Sequence, residues 1–268
     1  MFDTDVRDKE DNLNKSRLQE KASVRSFLKI IMILICVSTF LYSAYRLYVI
    51  GHEYSTATNE YKKLQKYVEK IPSDKSKSNF SSEININFKE LKAINNDVIG
   101  WIYFENIDIN YPIVKGTDNT FYLNHTFKKE VNKSGSIFMD YTNDEQFKDF
   151  YTILYGHNLK NSSMFSALMK YKEKDFYVSN HCFWIYTPSG KLKCEIFSCY
   201  ITSSTSKSYN KNFESKEQYG SFLRDITNNS IYDTGVTVTA EDSIVSLSTC
   251  TNSDKESRII VHAKVIKQ

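Results

Sequence analysis

The run Ile30–Tyr45 (IIMILICVSTFLYSAY) contains no charged side chain and is bracketed by Lys29 and Arg46. As a helix it spans about 24 Å, short of a hydrocarbon core of about 30 Å. Phe27, Leu28 and Leu47–Ile50 extend the apolar stretch at both ends. Lys29 and Arg46 can carry their charges out to the two interfaces. Tyr42, Tyr45 and Tyr48 suit the aromatic belt. Such a segment can be a buried core helix, a cleaved secretory signal or an uncleaved signal anchor. A polar leader gives the first no core to join. Ser43-Ala44 is small, but no clean cleavage site follows. The sequence therefore predicts a cytoplasmic leader over 1–26 and a transmembrane signal anchor over 27–50. Arg17, Lys21, Arg25 and Lys29 lie close to the membrane with only Glu20 among them. By the positive-inside rule this is a single-pass protein of the cell membrane with its bulk extracellular.

The exported remainder is rich enough in apolar residues to fold. The chain as a whole is 41% hydrophobic and 14% aromatic over 268 residues, which excludes wholesale disorder. A net charge of +3 over the whole chain leaves no basic footprint for nucleic acid. No CxxC, HExxH, GxxxxGK[ST] or GxGxxG string is present, so neither a structural metal nor a nucleotide phosphate has an evident cradle. In the segment 51–82, Tyr54, Ala57, Tyr61, Leu64, Tyr67 and Val68 recur at helical spacing. They predict a spacer helix that ends at Ile71-Pro72 and passes into the polar linker SDKSKSNFSS.

From residue 83 onward the pattern becomes β-rich. Phe88, Leu91 and Ile94 predict one short helix closed near Asn95-Asn96. Eight short strands follow: Trp101–Phe104, Ile107–Val114, Ser136–Met139, Tyr151–Tyr155, Cys182–Tyr186, Lys193–Ile201, Ser243–Cys250 and Arg258–Ile266. That is the signature of a mainly β domain, a barrel or a sandwich. About 40 residues separate the sixth and seventh strands. In them Ser215 and Gln218 form a capping-box start, and Tyr219, Phe222, Leu223 and Ile226 mark a helix packed on the sheet.

Of five cysteines, Cys36 lies in the anchor. Cys182, Cys194 and Cys199 lie in aromatic, apolar strands and read as buried small residues. Cys182 and Cys194 flank a hairpin and could approach each other, but a domain of this length needs no disulfide. Cys250 differs. It ends a strand in which Val245, Leu247 and Thr249 share one face and Ser246, Ser248 and Cys250 the other, with Ile244 breaking the apolar alternation, and a polar loop follows at once. A thiol at a strand mouth on a polar face is placed to react. It then needs a base. His52 lies in the stem, His125 in a loop and His181 before a strand. His157 ends the strand before Asn158, and His262 shares strand parity with Arg258, so both qualify on spacing. Arg258, eight residues after Cys250 across a tight loop, can support an acyl oxyanion or favour the thiolate.

The strings SLSTC (Ser246–Cys250), with Arg258 beyond it, and LYGHN (Leu154–Asn158) resemble the cysteine, arginine and histidine motifs of sortases. Ser246 stands where Thr is usual. The stretch DVIGWIYFENIDINYPIVKGTDNTFYLNHTF, then SGSIFMDY and the helix over 215–228, is similar to class B members over about 88–268. The resemblance implies an eight-stranded sortase-type β-barrel with peripheral helices, behind the transmembrane helix, as a catalytic domain over 83–268. It implies Cys250 as nucleophile, His157 as general acid/base and Arg258 as oxyanion or substrate ligand, with His262 an ordinary strand residue. Asn124, Ser248 and Thr249 would line the substrate groove. The implied reaction is transpeptidation: cleavage of a C-terminal sorting motif of a surface protein after Thr, then transfer to a peptidoglycan stem-peptide amine or its lipid-linked precursor. No metal or organic cofactor is implied. A surface cysteine peptidase and a wall-binding module are the competing classes. A pilin-polymerising sortase would carry an Asp-aromatic lid, which Ser73–Glu83 does not resemble.

Overall fold

Apolar alternation over residues 98–266 closes into a barrel. The computed structural model describes residues 3–70, 84–251 and 256–266, with side chains from residue 28 to 69 in the first stretch. The linker expected at 73–82 and the loop residues 252–255 lie outside them. The chain divides into two compact units, Met1–His52 and Glu53–Gln268.

In the first unit, helix α1 (Asp3–Leu64) carries the apolar stretch. Its Leu34, Phe40 and Leu47 are exposed, Phe40 to 71%. Among the described residues it is the one helix long and apolar enough to cross a membrane. None of its apolar window is buried in protein, which removes the core-helix alternative.

In the second unit, the end of α1 differs from a free spacer. Ala57, Tyr61 and Leu64 fall on one face and are buried in the domain core. After α1 come a short hairpin, β1 (Val68–Lys70) with β2 (Ile84–Ile86), and α2 (Phe88–Ile94), whose cap Asn87 accepts from the Glu90 amide. Then follow β3 (Val98–Tyr103), β4 (Asn110–Lys115), β5 (Ile137–Met139) and β6 (Tyr151–Tyr155). A 3₁₀ turn at Ser166–Lys172 leads into helix α3 (Lys174–Ser179). The chain continues through β7 (Cys182–Thr187), β8 (Gly190–Ser203), α4 (Lys216–Asn228), β9 (Ile244–Cys250) and β10 (Ser257–Ile266). Eight strands form one closed barrel in the order β10-β8-β7-β3-β4-β5-β6-β9, which decides between barrel and sandwich. They are the eight expected strands, with β8 two to three residues longer at each end, β3 beginning three residues earlier at Val98 and β4 three residues later at Asn110.

The barrel has two cores. One fills its interior, with Trp101, Ile113, Phe138, Leu154, Val245 and Leu247. The other lies between its outer face and α4, where Tyr219, Phe222, Leu223 and Ile226 meet Ile153, Ile244 and Ile260. This explains the break at Ile244: β9 is buried on both faces, so apolar residues occupy both parities. Ser215 caps α4 by accepting from the Gln218 amide at 3.2 Å, and the Gln218 carboxamide accepts from the Glu214 amide.

Cys182, Cys194, Cys199 and Cys250 are free thiols. Burial holds the Cys199 thiol up at about 12 and raises that of Cys194 as well, so both are inert packing residues, as their apolar strands suggest.

Candidate active site

Two neighbouring parallel strands set the geometry. Strands β6 and β9 run parallel with Tyr155 opposite Ser248. Both chains continue past the ladder together. The Gly156 amide donates to the Ser248 carbonyl at 3.2 Å, and the Asn158 side-chain amide donates to the Cys250 carbonyl at 3.0 Å. Two residues beyond the last pair on each strand, His157 comes level with Cys250 on the adjacent strand, and parallel neighbours lie about 4.8 Å apart. Gly156 is required at the exit. A Cβ there would collide with Ile137 Cδ1 and meet the Phe165 ring at 2.8 Å.

On the other side, β10 is antiparallel to β9 with Arg258 directly opposite Cys250. Directly opposed residues share a face, with Cβ atoms about 5 Å apart. His157, Cys250 and Arg258 are all half-buried at this rim. The imidazole Nε2–H of His157 donates to the Leu123 carbonyl at 2.6 Å. That bond selects one tautomer and leaves Nδ1 free to exchange a proton.

The other expected residues divide. Ser248 faces outward with Cys250, and its hydroxyl lies 2.8 Å from that of Tyr209. Thr249 points into the barrel and is 2% exposed, so only its backbone is available to a bound peptide. Asn124 is exposed, one residue from the carbonyl that holds His157. His262 is fully buried four residues inward from Arg258 and cannot reach the rim.

Below the rim runs a buried polar line. Ser246 Oγ lies 2.5 Å from His262 Nδ1, and His262 Nε2 lies 3.0 Å from the Tyr200 hydroxyl. Tyr200 contacts Ser208 Oγ at 2.8 Å, and Tyr151 donates to the Ser208 carbonyl at 2.6 Å. Lys211 pairs with Asp140 and Thr142. Together they fix the 3₁₀ turn Lys207–Tyr209. Tyr209 is thereby held over Ser248, where burial raises its pKa and the Arg258 charge opposes that rise. Tyr209 was not among the expected site residues. It sits in a long connection without a motif, and only tertiary structure brings it to the rim.

Burial among Tyr151, Phe197 and Tyr200 holds His262 neutral, its pKa pushed from 6.5 down to about 3. The folded protein therefore binds no proton there between those values, whereas the unfolded chain does. Acid must draw the protein toward unfolding as pH falls through this window, by up to about 1.4 kcal/mol per pH unit. Urea midpoints of wild type and His262→Gln, compared from pH 7 to 4, should differ by this slope, with the variant the flatter. Parallel curves would show that the imidazole titrates normally.

The sortase domain model matches residues 102–266. The chain belongs to the sortase family. It is 32% identical to the sortase B of Listeria monocytogenes over 91% of this chain and 98% of that one. A crystal structure of sortase B from B. anthracis in complex with AAEK1 superposes with a TM-score of 0.71 at 38% identity, covering 82% of this chain and 100% of that one. A Staphylococcus aureus sortase B–substrate complex gives 0.64 at 36%, over 67% and 84%. Within the sortase family the likeness is to class B, as the GWI, YLNH and GSIFMD strings imply. The barrel, with its long helical connection between β8 and β9, agrees with that class. Its activity is cysteine transpeptidation in cell-wall anchoring.

Proposed function

We propose that Cys250, His157 and Arg258 carry this transpeptidation, with Asn124, Ser248, the Thr249 backbone and Tyr209 bordering the groove for the sorting peptide. The pairing that brings His157 level with Cys250, with Arg258 opposite, is the observation that supports the reading. The thiol gives its proton to His157 Nδ1 as sulfur attacks the carbonyl carbon after the motif's Thr. The guanidinium of Arg258 donates to the oxyanion as it forms. The tetrahedral adduct collapses, the C–N bond breaks, and His157 returns the proton to the leaving amine. An amine of a peptidoglycan stem peptide, free or on its lipid-linked precursor, then attacks the thioester. It loses a proton to His157, and the thiolate departs. The substrate complex known for the S. aureus relative supports a peptide in this groove.

The apolar part of α1 supports anchoring in the cell membrane. The basic leader supports a cytoplasmic N-terminus with the catalytic domain outside. A catalyst so held meets both a membrane-bound protein substrate and nascent wall.

Full-length protein in detergent, given a library of sorting-motif peptides and an oligoglycine or diamino-acid amine, should yield a ligated product that rises with amine concentration. Mass spectrometry should place the acyl group on Cys250. Hydrolysed peptide alone at every amine concentration would make the protein a peptidase instead.

A further inference from the structure

The last turns of α1 are packed against the loop that orients the catalytic histidine. We propose that Tyr61, on α1, is a positioning residue for His157, and this rests on the catalytic reading of His157 given above. The Tyr61 hydroxyl is fully buried and makes three contacts, all to one loop. It donates to the Gly135 carbonyl at 2.7 Å, lies 3.0 Å from Ser136 Oγ, and accepts from the Phe127 amide at 3.2 Å. Burial raises its pKa well above the usual range, so it remains a neutral donor.

That loop folds back on itself, and Ser136 closes it. The Ser136 amide donates to the Tyr122 carbonyl at 2.9 Å, and Ser136 Oγ donates to the His125 carbonyl at 2.9 Å. Gly135 adopts φ +58° with its α-carbon wedged against the same turn. A Cβ there would meet the Tyr122 and Leu123 carbonyl oxygens at 2.7 and 2.8 Å and His157 Cδ2 at 3.0 Å. The Leu123 carbonyl is the acceptor that fixes the His157 tautomer. Tyr61 thus stands one residue away from the imidazole: it holds Gly135, which lies so close to the ring and to the carbonyl that orients it that no Cβ fits between them.

Neighbouring groups on α1 reinforce the arrangement. Glu60 accepts from the Lys128 amide at 3.0 Å, the Glu53 carbonyl accepts from Asn132 at 3.0 Å, and Glu53 pairs with Lys133 at 3.3 Å. These ties reach the far part of the loop. Tyr61 alone among them reaches the part in contact with His157.

The test compares two hydroxyl deletions in full-length protein in detergent. Tyr61→Phe keeps the ring packed edge-on against Tyr111 and removes only the three polar contacts. Tyr111→Phe removes a hydroxyl from the same core, one that accepts from the Met164 amide and, among the described residues, makes no hydrogen bond to the 121–136 loop. Tyr61→Phe should lower kcat about tenfold with KM for the sorting peptide within twofold. The ¹⁵N resonances of His157 should shift from the Nε2–H tautomer toward a mixture. Tyr111→Phe should leave kcat and those resonances as in wild type. Unmoved His157 resonances in Tyr61→Phe, or equal kcat losses in the two variants, overturn the proposal. Full activity in a parallel His157→Ala variant would instead reject the catalytic reading, while the resonances still report whether Tyr61 positions the ring.

Discussion

Replacing Cys250 by Ala should lower transpeptidation by about 10⁴-fold or more while leaving the fold unchanged. The sulfur sits half-exposed at the barrel rim. The contacts that pin this residue are made by its backbone: the carbonyl accepts from Asn158, and the strand pairs with Arg258 on β10. Truncating the side chain therefore removes the proposed nucleophile without opening a cavity, and the thermal midpoint should stay within a degree or two. Cys194 and Cys199 are sealed in the core, so neither can substitute. The check is intact-mass spectrometry after incubation with sorting peptide, which should show a thioester on wild type and none on the variant. An acyl adduct that survives in Cys250→Ala would move the chemistry to another thiol.

His157→Ala should cost about 10³-fold in kcat/KM, with a stability loss of only about 1 kcal/mol for the bond to the Leu123 carbonyl. Both half-reactions should slow, because the same imidazole is asked to move a proton in acylation and in aminolysis. Rapid-quench measurement of thioester formation, and separately of its transfer to amine, distinguishes this from a defect in one step. His262→Ala should do the reverse. It should destabilise the protein, since Ser246 and Tyr200 lose their buried partner, yet turn over in whatever fraction stays folded. A fast His157→Ala enzyme, or an inactive but fully folded His262→Ala enzyme, would exchange their roles.

The two histidines also mark what could be read before the structure. Spacing alone admits both, because His262 shares Arg258's parity. Burial separates them, and burial here depends on α4, which arrives from another part of the chain. The strands were legible because each combines alternation with turn residues at its ends. The α4 face was legible from four apolar side chains and a cap. Ile244 looked anomalous only while β9 was assumed to have one wet face. The hairpin β1–β2, the turn at Ser166–Lys172 and α3 are too short to carry a period. Tyr209 and the Leu123 carbonyl were hidden for a different reason. One lies in a connection without pattern, and the other is a main-chain atom that any residue would supply. The apolar face of Tyr61 was visible, but not that it meets the loop under His157.

The parallel junction of β6 and β9 has a consequence for how such enzymes diverge. Between Asn158 and Ser243 the chain adds β7 and β8 to the barrel and re-enters β9 at the end away from Cys250, so the separation of the His157 imidazole and the Cys250 sulfur is dictated by the β6–β9 ladder and not by the length of the connections between. The connections β6–β7 and β8–β9 can lengthen, shorten or exchange their helices, while the distance between the two side chains stays where hydrogen bonding between two adjacent strands has put it. Selectivity and reactivity are in this sense inherited separately.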